Sequence, residues 1–224
     1  MLELRHLTKW YPTPRGRRYV FRDLSFRFPE SASIGLLGRN GAGKSTLLRL
    51  LGGIDTPEHG EVYSDERISW PVGLAGGFQG SLTARENVRF VCHIYGADAA
   101  DMRDRTRFVE DFAEIGEYFD LPMKTLSSGM RSRVGFGLSM AFDFDYYLID
   151  EVMSVGDPQF KKKSREVFKA RMDRSKMILV THSVSDVREY CDVIVHLQAG
   201  SATLYTDIEA GIAAYQNNAP APAE

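Results

Sequence analysis

The stretch that most constrains this chain is Gly38-Arg39-Asn40-Gly41-Ala42-Gly43-Lys44-Ser45-Thr46. It matches the pattern G-x-x-x-x-G-K-[ST], in which a strand turns through glycines into a helix. Ile34-Gly35-Leu36-Leu37 before it reads as a buried strand. Thr46-Leu47-Leu48-Arg49-Leu50-Leu51 after it reads as a helix that stops at Gly52-Gly53. The glycines let successive backbone N–H groups converge on one concavity, and the helix N-terminus adds partial positive charge there. Lys44 supplies a mobile ammonium suited to β- and γ-phosphates, and Ser45 a hard hydroxyl oxygen suited to Mg²⁺. The expectation is nucleotide binding; the bland alternative is a glycine-rich connector.

Composition narrows the setting. At 224 residues the chain can bury a sizeable core as one large domain or a core with a subdomain. A net charge of −2 gives no global pull toward nucleic acid. Cys92 and Cys191 stand alone without metal-like spacing, which suits a reducing compartment. Glu3, Arg5 and Lys9 break up the N-terminal leucines, so no signal-peptide core is expected there. No apolar run approaches a membrane-spanning length, and any membrane role has to come through a partner.

In chain order, Leu2, Leu4 and Leu7 alternate with polar residues, as do Leu24, Phe26 and Phe28. The pattern predicts two half-buried strands, with turn chemistry at Tyr11-Pro12-Thr13-Pro14-Arg15-Gly16 between them. An aromatic here (Trp10, Tyr11 or Tyr19) can stack on a base or simply fill a sheet edge. Glu61-Val62-Tyr63 resumes the sheet, and Ile68 to Val72 leads into a glycine-rich loop, Gly73 to Gly80, that carries Gln79. A helical pattern runs from Leu82 to about Tyr118, opened by Thr83 and Glu86 as a capping box. Asp98 to Arg107 reads as a solvated helix face rather than a binding patch, and Lys161 to Arg165 as a solvated face in preference to the alternative, a phosphate or lipid-headgroup patch. Met177 to Val180 and Val193 to Val195 read as strands, Ser185 to Tyr190 and Glu209 to Tyr215 as helices, and residues 217–224 as a disordered tail.

Three further constellations bear on chemistry. Tyr146-Tyr147-Leu148-Ile149-Asp150-Glu151 is an apolar strand ending in two carboxylates. At the carboxyl end of a central parallel strand, Asp150 can hold Mg²⁺ through water and Glu151 can face the water that attacks a γ-phosphate. His182 lies just past the next apolar run, within reach of the same phosphate, whereas His6, His59, His93 and His196 read as surface or packing residues. Leu126-Ser127-Ser128-Gly129-Met130 opens a helix running to about Phe142, with Ser127 or Ser128 as its cap and a second anion-binding helix end. Two chains facing head to tail would set that end over the partner's P-loop.

This order of motifs resembles the nucleotide-binding subunit of an ATP-binding-cassette transporter over nearly the whole chain. The resemblance implies an α/β fold of the P-loop NTPase type, with a RecA-like mixed-sheet core, an antiparallel β subdomain and an α-helical subdomain at about 82–142. The whole would form one domain over 1–216. It implies that Asn40, Gly41, Ala42, Gly43, Lys44, Ser45 and Thr46 wrap the phosphates of ATP, that Ser45, Gln79 and Asp150 serve Mg²⁺, and that Glu151, His182, Lys44 and Gln79 act in hydrolysis. Ser127, Ser128 and Gly129 would form the signature and Asp157 would close the D-loop. Met130 and Ser128 depart from the usual Leu-Ser-Gly-Gly-Gln. Tyr11 best matches the base-stacking aromatic by position, with Tyr19 as rival.

A narrower likeness, in Ser69 to Thr83, Ser127 to Arg133 and Phe144 to Glu151, is to ATPases of bacterial capsular-polysaccharide exporters. It implies a second copy in an ATP-sandwich dimer, two copies of a polytopic permease, no nucleic acid, and a peripheral place on the cytoplasmic face of the inner membrane. The alternatives are an O-antigen or teichoic-acid exporter ATPase, a soluble cassette ATPase acting on nucleic acid or ribosomes, and a non-hydrolytic nucleotide sensor.

Overall fold

The computed structural model describes residues 1–72, 78–150 and 158–217. The chain divides into two compact units, one of Met1–Pro71, Phe144–Glu151 and Arg174–Glu224, the other of Val72–Asp143 and Val152–Asp173.

The first unit begins with a long hairpin. Strands β1 (Leu2–Thr13) and β2 (Gly16–Arg27) pair antiparallel, with Tyr11 opposite Arg18 and Trp10 opposite Tyr19. The turn expected over Tyr11 to Gly16 is confined to Pro14 and Arg15. The ladder continues to Thr13, whose hydroxyl donates to the Gly16 carbonyl at 2.7 Å, and Gly16 takes a φ of 110° that favours glycine. The outer half of β2 is polar and largely exposed, which is why apolar alternation marks only its end at Leu24 and Phe26. Strand β4 (His59–Ser64) completes a three-stranded sheet on the other side of β1.

The second sheet of this unit joins β3 (Ile34–Leu37), β5 (Ile68–Val72), β6 (Tyr146–Asp150), β7 (Lys176–Val180), β8 (Val193–Gln198) and β9 (Ser201–Tyr205) in the order β5-β6-β7-β3-β8-β9. Ile68 to Val72, read from sequence only as a lead into the loop, is its edge strand. An edge is where a strand tolerates Pro71, which has no N–H to give a ladder. The pairs β6–β7, β7–β3 and β3–β8 are parallel, and β3 is buried along its whole length, as a strand covered on both faces requires. Leu36, Val180 and Asp150 lie at one level across three neighbouring strands, so the chain leaves β3, β7 and β6 along one edge of the sheet.

Helix α1 (Lys44–Leu51) buries Leu47, Leu48, Leu50 and Leu51 in a core shared with Leu36, Leu148, Ile178 and Val195. Gly52 ends it: a Cβ there would sit 3.0 Å from Pro71 and 3.2 Å from Leu148. Helix α6 (Val184–Tyr190) is capped by Ser183, which accepts from the Asp186 N–H, and α7 (Ile208–Asn217) is tied to it by a forked Arg188–Glu209 ion pair. The Cys191 thiol is pushed up to about 12, by burial first and then by the charges of Asp192 and Asp186.

The second unit is helical, with α2 (Ala84–Ile94), α3 (Ala99–Ala113), α4 (Ser128–Met140) and α5 (Pro158–Met172). The single helical run expected from Leu82 to Tyr118 is interrupted. Gly96 turns out of α2 at φ 70°, and Asp98 restarts the helix by accepting from the N–H groups of Ala100 and Asp101. Thr83 and Glu86 form the expected capping box. Lys163, read from sequence as part of a solvated face, reaches from α5 to the last turn of α3. It donates to the carbonyls of Asp111 and Phe112 and to Glu114 Oε1, supplying the cation that turn lacks. Arg85 on α2 forks to Glu110 and Asp120, whose hydrogen bonds raise its pKa. Burial raises the pKa of the Cys92 thiol on α2.

Phe112 centres this unit, stacked on Phe136 at 5.4 Å and edge-on to Phe160 at 5.2 Å. Gly137 permits that approach, since a Cβ there would lie 2.9 Å from the Phe112 ring. Phe112→Ala is expected to cost about 3–5 kcal/mol of unfolding free energy, read as a lowered urea midpoint.

Candidate functional site

Glycine chemistry builds the site at the end of β3. Gly43 takes a φ of 102°, and a Cβ on it would lie 2.6 Å from Val20 and 2.8 Å from Phe21. Gly38 has no more room, with the Leu197 carbonyl 2.6 Å from where its Cβ would be. The turn is therefore wedged between β2 and β8 and admits no side chain at either position. Helix α1 starts at Gly43 with no side chain capping its first turn, whereas α2, α3, α4 and α6 are capped by Thr83, Asp98, Ser127 and Ser183. A helix start without a side-chain cap is a place where an anion can take the cap's role. Lys44 is almost buried, and its Nζ donates to the carbonyls of Gly38 at 2.6 Å and Arg39 at 3.2 Å, spanning the loop it follows.

These residues line a cleft of about 1110 Å³ within the first unit. Of the residues expected from sequence, Tyr11, Asn40, Gly41, Ala42, Gly43, Lys44, Ser45, Thr46, Asp150 and His182 all lie along it. Asp150 comes from the end of β6 and His182 from two residues beyond β7. The His182 Nδ1 lies 3.3 Å from the Tyr215 hydroxyl on α7. His196 is buried, and burial lowers its pKa, which keeps it neutral as a packing residue. Tyr19 also lines the cleft, so both aromatics named as base platforms reach it.

Arg18 and Arg22 on β2 were not expected there. Their signal lay in the strand period of a polar stretch, which the turn-like composition before it obscured. Among the described residues no group of three or more His, Cys, Asp and Glu side chains is placed to hold a metal. A hydroxyl from Ser45 and a carboxylate from Asp150 do share the cleft, a hard-oxygen pair that suits Mg²⁺ when phosphate and water complete its shell.

The remaining expected residues lie elsewhere. Gln79, Ser127, Ser128 and Gly129 belong to the second unit. Buried Asn87 fixes the backbone around Gln79, accepting from its N–H at 2.8 Å and donating to its carbonyl at 3.1 Å, while the Gln79 side chain is exposed. Of the two candidate caps of α4, it is Ser127 that accepts from the Met130 N–H, which leaves Ser128 as the first helical residue. Glu151, Asp157 and most of the Gly73 to Gly80 loop lie outside the described residues.

A glycine loop with an uncapped helix start, a near-buried lysine, a strand-end aspartate and a histidine from the next strand define a P-loop nucleotide-binding protein. Residues 21–154 match the ABC transporter family model, and the chain belongs to that family of ATPases. It is 54% identical over 217 residues to the polysialic acid transport ATP-binding protein KpsT of Escherichia coli, covering 96% of each chain. It is 45% identical over 221 residues to the capsule polysaccharide export ATP-binding protein CtrD of Neisseria meningitidis serogroup B, covering 98% of this chain and all of that one. Among solved structures, a dimeric ATP-binding cassette in a post-hydrolysis state, bound to ADP and Pi, superposes with a TM-score of 0.71 at 25% identity. It spans 90% of this chain and 96% of the other.

Three substitutions separate the site's parts. Lys44→Met is expected to abolish the rise in melting temperature that saturating Mg·ATP gives the wild-type protein, measured by thermal denaturation with and without nucleotide. Ser127→Ala is expected to lower stability by about 1 kcal/mol through loss of the cap, and Ser128→Ala by less than half of that, compared by chemical denaturation.

Proposed function

We propose that this chain is the ATP-hydrolysing subunit of an exporter that carries capsular polysaccharide, a lipid-linked glycan, across the bacterial inner membrane. The observation that carries the reading is the meeting of Lys44, Ser45, Asp150 and His182 on one cleft. The near full-length likeness to capsule and polysialic acid transport ATPases supports the choice of cargo. Two copies would face head to tail around two ATP molecules, each completing the other's site with Ser127, Ser128 and Gly129, and with Asp157 near the join. They would engage two copies of a polytopic permease from the cytoplasmic face. No helix among the described residues is long and apolar enough to cross a membrane.

In this reading the N–H groups of Asn40 to Thr46 and the Lys44 ammonium hold the β- and γ-phosphates, exchanging the carbonyl contacts of Lys44 for phosphate oxygens. Ser45, Asp150 and Gln79 would hold Mg²⁺, which offsets phosphate charge when bound. Glu151 takes a proton from the attacking water as its oxygen bonds to the γ-phosphorus. The bond from that phosphorus to the β–γ bridging oxygen breaks, and ADP leaves with that oxygen. His182 donates to the γ-phosphate oxygens, and Lys44 balances charge that builds on them in the transition state.

Glu151→Gln is expected to cut steady-state hydrolysis by roughly 10²–10⁴-fold while ATP binding persists. Retained turnover would remove Glu151 from the role of base. The cargo is tested by deleting the gene in its capsulated host. Surface polysaccharide should disappear, accumulate inside the cell, and return with the wild-type chain but not with the Glu151→Gln variant. Undiminished surface polysaccharide would overturn the assignment.

A further inference from the structure

Both Tyr11 and Tyr19 line the cleft, yet they are held differently. Tyr11 Oη donates to Asp55 Oδ2 at 2.8 Å, which fixes the far end of the ring. Asp55 sits in the loop directly after α1, where its own N–H and that of Ile54 donate to the Arg49 carbonyl. Its other oxygen, Oδ1, accepts from Lys9 Nζ at 2.8 Å and from the Thr56 N–H at 2.9 Å. Lys9 is 5% exposed and also donates to the Thr56 carbonyl at 2.8 Å and Glu58 at 3.4 Å. Burial pulls the Asp55 carboxyl up, and the hydrogen bonds from Lys9, Tyr11 and Thr56 more than offset that, so it sits below the usual carboxylate range. Among the described residues Tyr19 has no comparable side-chain anchor: it lies opposite Trp10 and carries the Arg22 guanidinium 3.9 Å over its ring.

We propose that Asp55, clamped by Lys9, is a positioning residue that locks Tyr11 as the platform for the purine base and joins that platform to the end of the phosphate-binding helix. The proposal rests on the reading that ATP occupies this cleft. Neither Lys9 nor Asp55 lines the cleft, so both act through Tyr11. One rigid connection runs from the Tyr11 hydroxyl through Asp55 to α1, whose first turn carries Lys44. Base and phosphates are thereby held at a set separation, and a ring that is already immobile loses little freedom when a base stacks on it. Truncating such a platform loses about 5- to 150-fold in affinity by the strength of base–aromatic stacking, and loosening it by one hydrogen bond loses roughly 2- to 10-fold.

The test compares ATP with inorganic tripolyphosphate, which has the phosphates and no base, each binding with Mg²⁺ to the full chain. Tyr11→Phe and Asp55→Asn are conservative enough to fold and are checked by thermal denaturation. Each is expected to weaken ATP by roughly 2- to 10-fold and leave tripolyphosphate unchanged. The double variant should be no weaker than either single one, as residues of one linkage require. Tyr19→Ala should leave the ratio of the two affinities as in wild type.

Equal weakening of ATP and tripolyphosphate, additive losses in the double variant, unchanged ATP affinity, or a selective loss confined to Tyr19→Ala would each overturn the positioning role. A wild-type chain that failed to bind ATP would overturn the proposed function itself, and this inference with it. ATP bound normally by wild type and by both variants would overturn this inference alone.

Discussion

The first unit depends on a turn that no side chain can enter. Gly38 abuts the Leu197 carbonyl and Gly43 abuts Val20 and Phe21, so the loop between β3 and α1 is clamped from both the hairpin and the parallel sheet. A tight loop with convergent N–H groups is unfavourable in isolation, since it costs backbone entropy and sets like dipoles side by side. Here the cost is met by the apolar contacts on either side, with Leu36 before the turn and Leu47 and Leu48 after it fully or almost fully buried. The anion site is thus a product of core packing as much as of its own sequence.

Much of this was legible in the sequence, for a physical reason. A strand covered on both faces must be apolar throughout, so β3, β6, β7 and β8 announce themselves as short unbroken runs. The glycines and Lys44 are constrained by geometry that few other residues satisfy. What stayed hidden was polar or set by partners far away in the chain. The outer half of the hairpin looked like a turn because Pro12, Pro14 and Gly16 cluster there, while the ladder itself is held by cross-strand pairing. Lys163 looked like one of several solvated cations because nothing local shows that it would close the end of a helix some fifty positions earlier. The Lys9–Asp55–Tyr11 linkage is likewise invisible along the chain, its members separated by 46 and 44 positions.

The two units also fold by different means. In the first, parallel strands and an apolar core set the architecture and the charged groups follow it. In the second, helix ends are managed one by one: Thr83, Asp98 and Ser127 each satisfy orphan N–H groups, and Lys163 satisfies orphan carbonyls. Asn87, buried with its amide spent on the backbone around Gln79, shows the same local economy. These devices fix where a helix begins, and that in turn sets which N–H groups at the start of α4 remain exposed for a ligand.

The two thiols have a practical consequence. Cys92 and Cys191 are both buried, and burial holds both above the ordinary thiol range, so at neutral pH the chain presents almost no sulfur nucleophile. Alkylating dyes and mild oxidants should pass over the native protein. A cysteine placed on its surface would then be the single reactive handle, allowing spectroscopic probes to be attached without first stripping out the natural ones.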